Sequence, residues 1–358
     1  MTSAFDPVSF TRGPAMPNRF MLAPLTNQQS HADGTLSDDE RHWLVVRAQG
    51  GFGLTMTCAA HVQAAGQGFA GQLGIFGDQH LEGLTRLATD LDVAGTVSYV
   101  QLHHAGNRAP AVLTGTDPVC PSDDPETGAR ALSTLEVEEV IADFVAAARR
   151  AQVAGFHGVE LHGAHGYLIC QFLSGELNRR TDRFGGSLEN RSRVLFDIIA
   201  GIRSTCGPEF PIAVRLSPER FGMKIAEIVE IYGRLVACAD VDLIDMSLWD
   251  VDRIAEDEGF EGRTLTEIFA ELPRGEVRLG VAGKIYDPVD VQRVLDGGVD
   301  IVVLGRVAIL HHDYPKHMAA DPRWIARRPP VTREVLMAEG VSAGFVSYLG
   351  QNFRFVAD

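Results

Sequence analysis

The sequence predicts an α/β protein whose eight parallel strands close into a (β/α)8 TIM barrel, with residues 1–358 as one domain. Three observations carry this. Eight short Val/Ile-rich runs alternate with amphipathic stretches, at 19–25, 52–60, 95–103, 158–165, 211–217, 241–249, 277–284 and 299–304. Several are apolar almost without a break, as in Ile212-Ala213-Val214 and Ile301-Val302-Val303-Leu304. Strands buried on both faces of a parallel sheet read this way. An open doubly wound sheet would need a glycine-rich GxGxxG turn after its first strand, and none follows 19–25.

Helix signals fall between the strands. Asp78 is expected to N-cap a helix with Leu81, Leu84, Leu87, Ala88 and Leu91 on one face. Ser133 and Glu136 have capping-box spacing, followed by Ile141, Phe144, Val145 and Ala148, with Gly155 as the stop. Leu195, Ile198, Ile199 and Ile202 repeat the stripe. Asp287-Pro288 opens a further helix, with Val291, Val294 and Leu295 inside and Gly297-Gly298 ending it. After the third strand, 106–131 is rich in Pro, Gly, Asp and Thr and lacks periodicity. It reads as a long loop that a barrel would lay over its C-terminal face. Near the end, Phe345, Tyr348, Phe353 and Phe355 read as packing residues.

Composition narrows the function. With 45% hydrophobic and 22% charged residues the chain has ordinary globular composition. A net charge of −15, with Lys224, Lys284 and Lys316 the only lysines, argues against nucleic-acid binding. No apolar run approaches the roughly 18 residues that span a bilayer. The first ten residues lack the basic-then-apolar pattern of a secretory signal, so a cytoplasmic location is expected. The five cysteines form no CxxC pair, which excludes zinc-ribbon and iron–sulfur spacings.

Barrel enzymes gather their chemistry at the C-terminal ends of the strands. Here those ends deliver Thr26, Ala59, Gln101 with His103, His162 with His165 and Tyr167, Arg215, Gly283, and Gly305-Arg306. Gly283 and Gly305-Arg306 follow the last two strands, where barrels often hold a phosphate, and Arg306 adds a bidentate cation. Arg215 interrupts a very apolar strand and must find an anion there. His162 and His165 could ligate a metal or donate together to one oxygen, and Tyr167 brings a phenolic proton alongside them.

These residues sit in six segments: Ala23-Pro24-Leu25-Thr26, Gln101-Leu102-His103-His104-Ala105-Gly106, His162 to Tyr167, Leu177 to Arg191, Val214-Arg215-Leu216 and Leu304-Gly305-Arg306. In order and spacing they resemble the old yellow enzyme family of FMN-dependent oxidoreductases. The resemblance implies an ene-reductase that binds FMN as cofactor and takes electrons from NADPH or NADH. Hydride would pass through flavin N5 to the β-carbon of an α,β-unsaturated carbonyl compound or nitroalkene. It implies that Thr26, Ala59 and Gln101 contact the flavin ring, that Ala23, Pro24 and Leu25 also bind the cofactor, that Arg215 faces the ring's N1/C2 edge, and that Gly283, Gly305 and Arg306 hold the phosphate. His162 and His165 would grip the substrate oxygen, Tyr167 would protonate the α-carbon, and His103 would adjoin the substrate where some members carry tryptophan. Thr26 stands where another branch has cysteine. A longer, iron–sulfur-containing branch would need clustered cysteines beyond the barrel, and none follows Cys238. A metal-dependent barrel hydrolase built on His162, His165 and His103 is the alternative reading of the same residues.

Overall fold

The structure is a computed structural model and describes residues 2–357. Eight parallel strands pair in sequence order and close: β1 Phe20–Leu22, β2 Leu54–His61, β3 Val97–His103, β4 Gly158–Gly163, β5 Ile212–Leu216, β6 Leu243–Ser247, β7 Arg278–Ala282 and β8 Ile301–Leu304. Closure is the pairing of β1 with β8, Phe20 opposite Val302. Most are shorter than the apolar runs, because the tip residues leave the ladder and turn over the barrel mouth.

A helix follows each strand: α1 Asp38–Gln49, α2 Leu81–Val93, α3 Thr134–Ala154, α4 Leu188–Cys206, α5 Ile225–Ala237, α6 Leu265–Ala270, α7 Pro288–Asp296 and α8 Arg306–Leu310. Ser133 and Glu136 form the expected capping box, and Gly155 ends α3 in the left-handed conformation at φ 96°. Asp287 caps α7 with Pro288 in its first turn. Asp78 does not cap α2. It opens a 3₁₀ turn (Asp78–His80), and the α-helix starts three residues later. The segment 106–131 is not structureless either: it holds the short helix Ala111–Thr114 and a two-stranded pair, Val119–Cys120 with Arg130–Ala131.

Strand alternation sorts the core into two layers. Outward residues such as Val100, Leu161, Val214 and Ile244 join helix residues such as Phe144, Ile198 and Ile231 in one continuous apolar shell. Each such side chain contributes about 1.5–3 kcal/mol on burial. Inward residues Met21, Leu54, Met56, Val97, Tyr99, Ala213, Leu243, Ile301 and Val303 fill the barrel. Val8 and Met16, paired across an antiparallel bridge, pack beneath them and plug the N-terminal end. A register shift in β2 between Met56 and Ala59 brings Ala59 beside Gln101. Among the described residues no helix is long and apolar enough to cross a membrane.

Candidate active site

Above the apolar filling the barrel interior turns polar. Register places Gln101 beside Glu160, and Arg215 between His162 and Asp245. Gln101 Nε2 donates to Glu160 Oε1 at 2.7 Å. Arg215 Nε lies 3.1 Å from Asp245 Oδ2, close enough for charge attraction although the angle is too poor for a hydrogen bond. Among the described residues Glu160 Oε2 and both Asp245 oxygens have no hydrogen-bond partner. One guanidinium therefore faces two buried carboxylates. Burial first, and then the charge of Asp245, push the Glu160 carboxyl up to about 8. Burial also raises Asp245, against the pull of Arg215. The consistent state keeps one proton on this pair, centred on Glu160.

This layer floors a cavity of about 750 Å³ at the C-terminal ends of the strands, a size typical of a cofactor or ligand site. The strand-tip residues Ala23, Pro24, Leu25, Thr26, Ala59, Gln101 and Arg215 line it, as do Gly283, Gly305 and Arg306. Gly283 is demanded by the chain itself: a Cβ there would lie 2.7 Å from the backbone nitrogen of Asp250. At Gly305 the nearest atom would be Leu25 Cδ2 at 3.3 Å. Arg306 has no carboxylate partner and no side-chain hydrogen bond among the described residues, so its donors are free.

His162, His165 and Tyr167 line the same cavity. The His162 ring lies 5.0 Å from both the His165 and Tyr167 rings, each pair edge to face. His162 Nδ1 accepts from the Ala164 N–H at 3.3 Å, which leaves the proton on Nε2. His165 Nε2 sits 2.7 Å from Ser247 Oγ. If the serine donates there, Nδ1–H remains free toward the cavity. Both imidazoles are held neutral. Burial lowers His162, helped by His165, His103 and the Arg215 cation. Burial, then Arg215 and Arg108, lower His165 to about 3.

His103 lies elsewhere. It is fully buried and does not line the cavity; its ring packs 4.4 Å from that of Tyr167, and its Nδ1 meets Gln72 Nε2 at 3.0 Å. The three histidines also fail to present a converged ligand set. Among the described residues the one trio of His, Cys, Asp or Glu with ligand atoms within 4.8 Å of one another is His312, Asp313 and Glu339, where Arg327 already pairs with Glu339.

Several wall residues were not anticipated. From 106–131 only Arg108 lines the cavity, so that segment covers the site less than its length suggests. Tyr348, Phe353 and Phe355 form part of the wall, whereas Phe345 packs on Trp43 as a core residue. Arg220, Phe221, Trp249 and Lys284 join them from the loops after β5, β6 and β7. These four and His165 all have positive φ, between 50° and 67°. Left-handed non-glycine residues cost roughly 1–2 kcal/mol each and gather at functional sites. Only the folded backbone reveals them.

A model of the NADH:flavin oxidoreductase / NADH oxidase family matches residues 3–321. A probable NADH-dependent flavin oxidoreductase of Bacillus subtilis, YqiG, is 34% identical, over 90% of this chain and 87% of its own. An NADPH dehydrogenase of Bacillus pumilus is 33% identical over 90% of this chain and 96% of its own. The solved old yellow enzyme homologue of Zymomonas mobilis superposes with a TM-score of 0.80 at 27% identity, covering 97% of this chain and 99% of that one. Other relatives are longer, and this chain spans 48% and 36% of two of them.

Proposed function

The chain belongs to the NADH:flavin oxidoreductase / NADH oxidase family, as an FMN-dependent NAD(P)H oxidoreductase of the old yellow enzyme type, and from that premise we propose that it reduces activated C=C bonds at the cavity described above. The observation that carries this is the convergence of His162, His165 and Tyr167 on one cavity with Thr26, Gln101, Arg215 and Arg306.

The residues present fit FMN. Arg215 is tied only through Nε, so its two Nη groups remain available to a ligand edge. Arg306 and the glycine backbone at 283 and 305 suit a phosphate. Ala23, Pro24, Leu25, Thr26, Ala59 and Gln101 supply a mostly small-sided wall for a planar ring. When bound, FMN supplies hydride transfer between the nicotinamide and the substrate carbon.

The chain's own contribution is positioning and proton control. Neutral His162 and His165 each offer one N–H to a substrate carbonyl or nitro oxygen, which polarises the conjugated alkene without placing extra charge in the site. Tyr167 stands within ring contact of His162 and supplies the proton for the α-carbon. Arg215, fixed by the Asp245 charge, would help hold the flavin and would offer it a permanent cation.

The test is spectroscopic. The purified protein should show flavin absorption that bleaches anaerobically with NADH or NADPH and recovers with 2-cyclohexenone. Bleaching without recovery by any enone or nitroalkene would refute the C=C reductase assignment.

A further inference from the structure

Although the chain carries a net charge of −15, the cavity at the barrel mouth is lined by six Lys and Arg side chains and one carboxylate, Asp250. Half of these cations are neutralised locally. Arg215 faces Asp245, Arg253 pairs with Glu219, and Lys284 meets Asp250 at 2.8 Å. Arg306 is taken by the phosphate in the reading above. Arg108 and Arg220 remain.

Among the described residues neither is spent on a carboxylate. The side-chain hydrogen bond of Arg108 goes to the backbone carbonyl of His165, at 2.8 Å. The nearest carboxylate to Arg220 is Glu219 at 3.8 Å, and Arg253 already holds that oxygen. Each guanidinium instead stacks on an aromatic wall residue. Arg108 lies 4.7 Å from the Tyr167 ring centre, and Arg220 lies 4.6 Å from that of Trp249. Trp249 in turn contacts the His165 ring at 5.8 Å. Stacking fixes the plane of a guanidinium and leaves its N–H edge free for a planar anion. Arg220 is also held at φ 67° and Trp249 at φ 63°, so the backbone is bent to bring both to this wall.

The two free cations thus flank the His162/His165/Tyr167 group, one through Tyr167 and the other through Trp249. We propose that the acceptor substrate is an anion, an activated alkene whose carboxylate lies away from the carbonyl gripped by the histidines and is bound by Arg108 and Arg220. This rests on the reductase reading above and adds the substrate class. Locally positive walls on an acidic protein would also steer such a substrate inward.

The experiment compares 5-oxocyclohex-3-ene-1-carboxylate with its methyl ester, which share one enone and differ by one charge. Each consumes one NAD(P)H and one proton, hydride adding at the β-carbon and the proton at the α-carbon, and gives the saturated ketone. The holoenzyme should favour the acid in kcat/KM by about 10- to 100-fold, mainly through KM, as expected for hydrogen bonds to a charged group. The preference should shrink with salt. In Arg108→Gln, Arg220→Gln and the double variant the acid-to-ester ratio should fall toward one; a ratio taken within each variant cancels general losses of activity.

Equal use of acid and ester by the unmodified enzyme would overturn the proposal, and so would a preference that survives the double variant. A variant effect confined to the KM of the nicotinamide would assign the cations to the donor instead, and would overturn it as well. If NAD(P)H reduces the flavin but neither alkene reacts, the reductase reading fails separately. Calorimetric binding of 3-oxocyclohexane-1-carboxylate and its ester to holoenzyme and double variant then decides the anion site. Tighter binding of the acid, lost in the variant, sustains the proposal, and equal binding ends it.

Discussion

Glu160→Gln should stabilise the protein, and increasingly so as the pH rises. Glu160 lies fully buried beneath the cavity, accepts from Gln101 at 2.7 Å through one oxygen, and leaves the other unpartnered. Its carboxyl is pushed from an ordinary value of 4.5 up to about 8 by burial and the nearby Asp245 charge. Between those values the folded state holds a proton that the unfolded state releases, so stability falls as the pH climbs. The full loss is about 5 kcal/mol across the window, at about 1.4 kcal/mol per unit. Between pH 5.5 and 8.0 it is about 3 kcal/mol. Glutamine mimics the protonated acid, keeps the bond from Gln101 and can donate toward Asp245, but carries no titration. Urea unfolding of variant and unmodified holoenzyme at both pH values, with FMN in excess, should show a gap in the variant's favour of about 1.5 kcal/mol at pH 5.5 that widens to about 4.5 kcal/mol at pH 8.0. Titrations remote from this pair cancel in the difference. A gap that does not widen with pH, or a variant less stable at pH 8.0, would refute the shared-proton account of the barrel interior.

Because burial holds His165 near 3 and lowers His162 as well, the alkene-reduction half-reaction should run flat from pH 5 to 8. Stopped-flow flavin reoxidation that titrates near 6.5 would mean an imidazolium takes part. Tyr167→Phe should slow reoxidation by enone about 10²- to 10⁴-fold while leaving the rate of flavin reduction by NAD(P)H within a small factor. Equal slowing of both halves would point to a damaged cavity. Gly283→Ala places a Cβ 2.7 Å from the Asp250 nitrogen, so the loop after β6 must shift. The variant should purify with reduced flavin content and a lower melting temperature, and full flavin occupancy would contradict the packing argument.

The two free guanidiniums and the buried Glu160/Asp245 pair divide the site electrostatically. The floor is kept near neutral by one retained proton, while the walls keep positive charge in reserve. Neutral histidines between them can donate hydrogen bonds at any physiological pH. This arrangement suits a site that admits negatively charged molecules in turn, with the wall guanidiniums as the positive counter-charge.

The sequence by itself determined the barrel and most of its mouth. An unbroken apolar run such as Ile301-Val302-Val303-Leu304 and a capping box such as Ser133/Glu136 declare a buried strand and a helix start locally. A polar residue just past an apolar strand must sit at the strand's end, which is why Thr26, Gln101, His162, Arg215 and Arg306 were all legible as neighbours of one cavity. Alternation could not say how deep a side chain lies. His103 shares a strand face with Gln101, yet Gln72, arriving from the loop after β2, holds it beneath Tyr167 and out of the cavity. Tertiary structure alone decided the rest. Asp245 and Glu160 become electrostatically coupled, with Arg215 beside them, only through the register of β4, β5 and β6, since no one segment carries information about its neighbours. Arg220, Trp249 and Lys284 reach the wall through left-handed conformations that their own residue types do not announce. Tyr348, Phe353 and Phe355 return from beyond the barrel to close it, and an aromatic residue that packs on a core is indistinguishable in sequence from one that lines a cavity until the chain has folded around it.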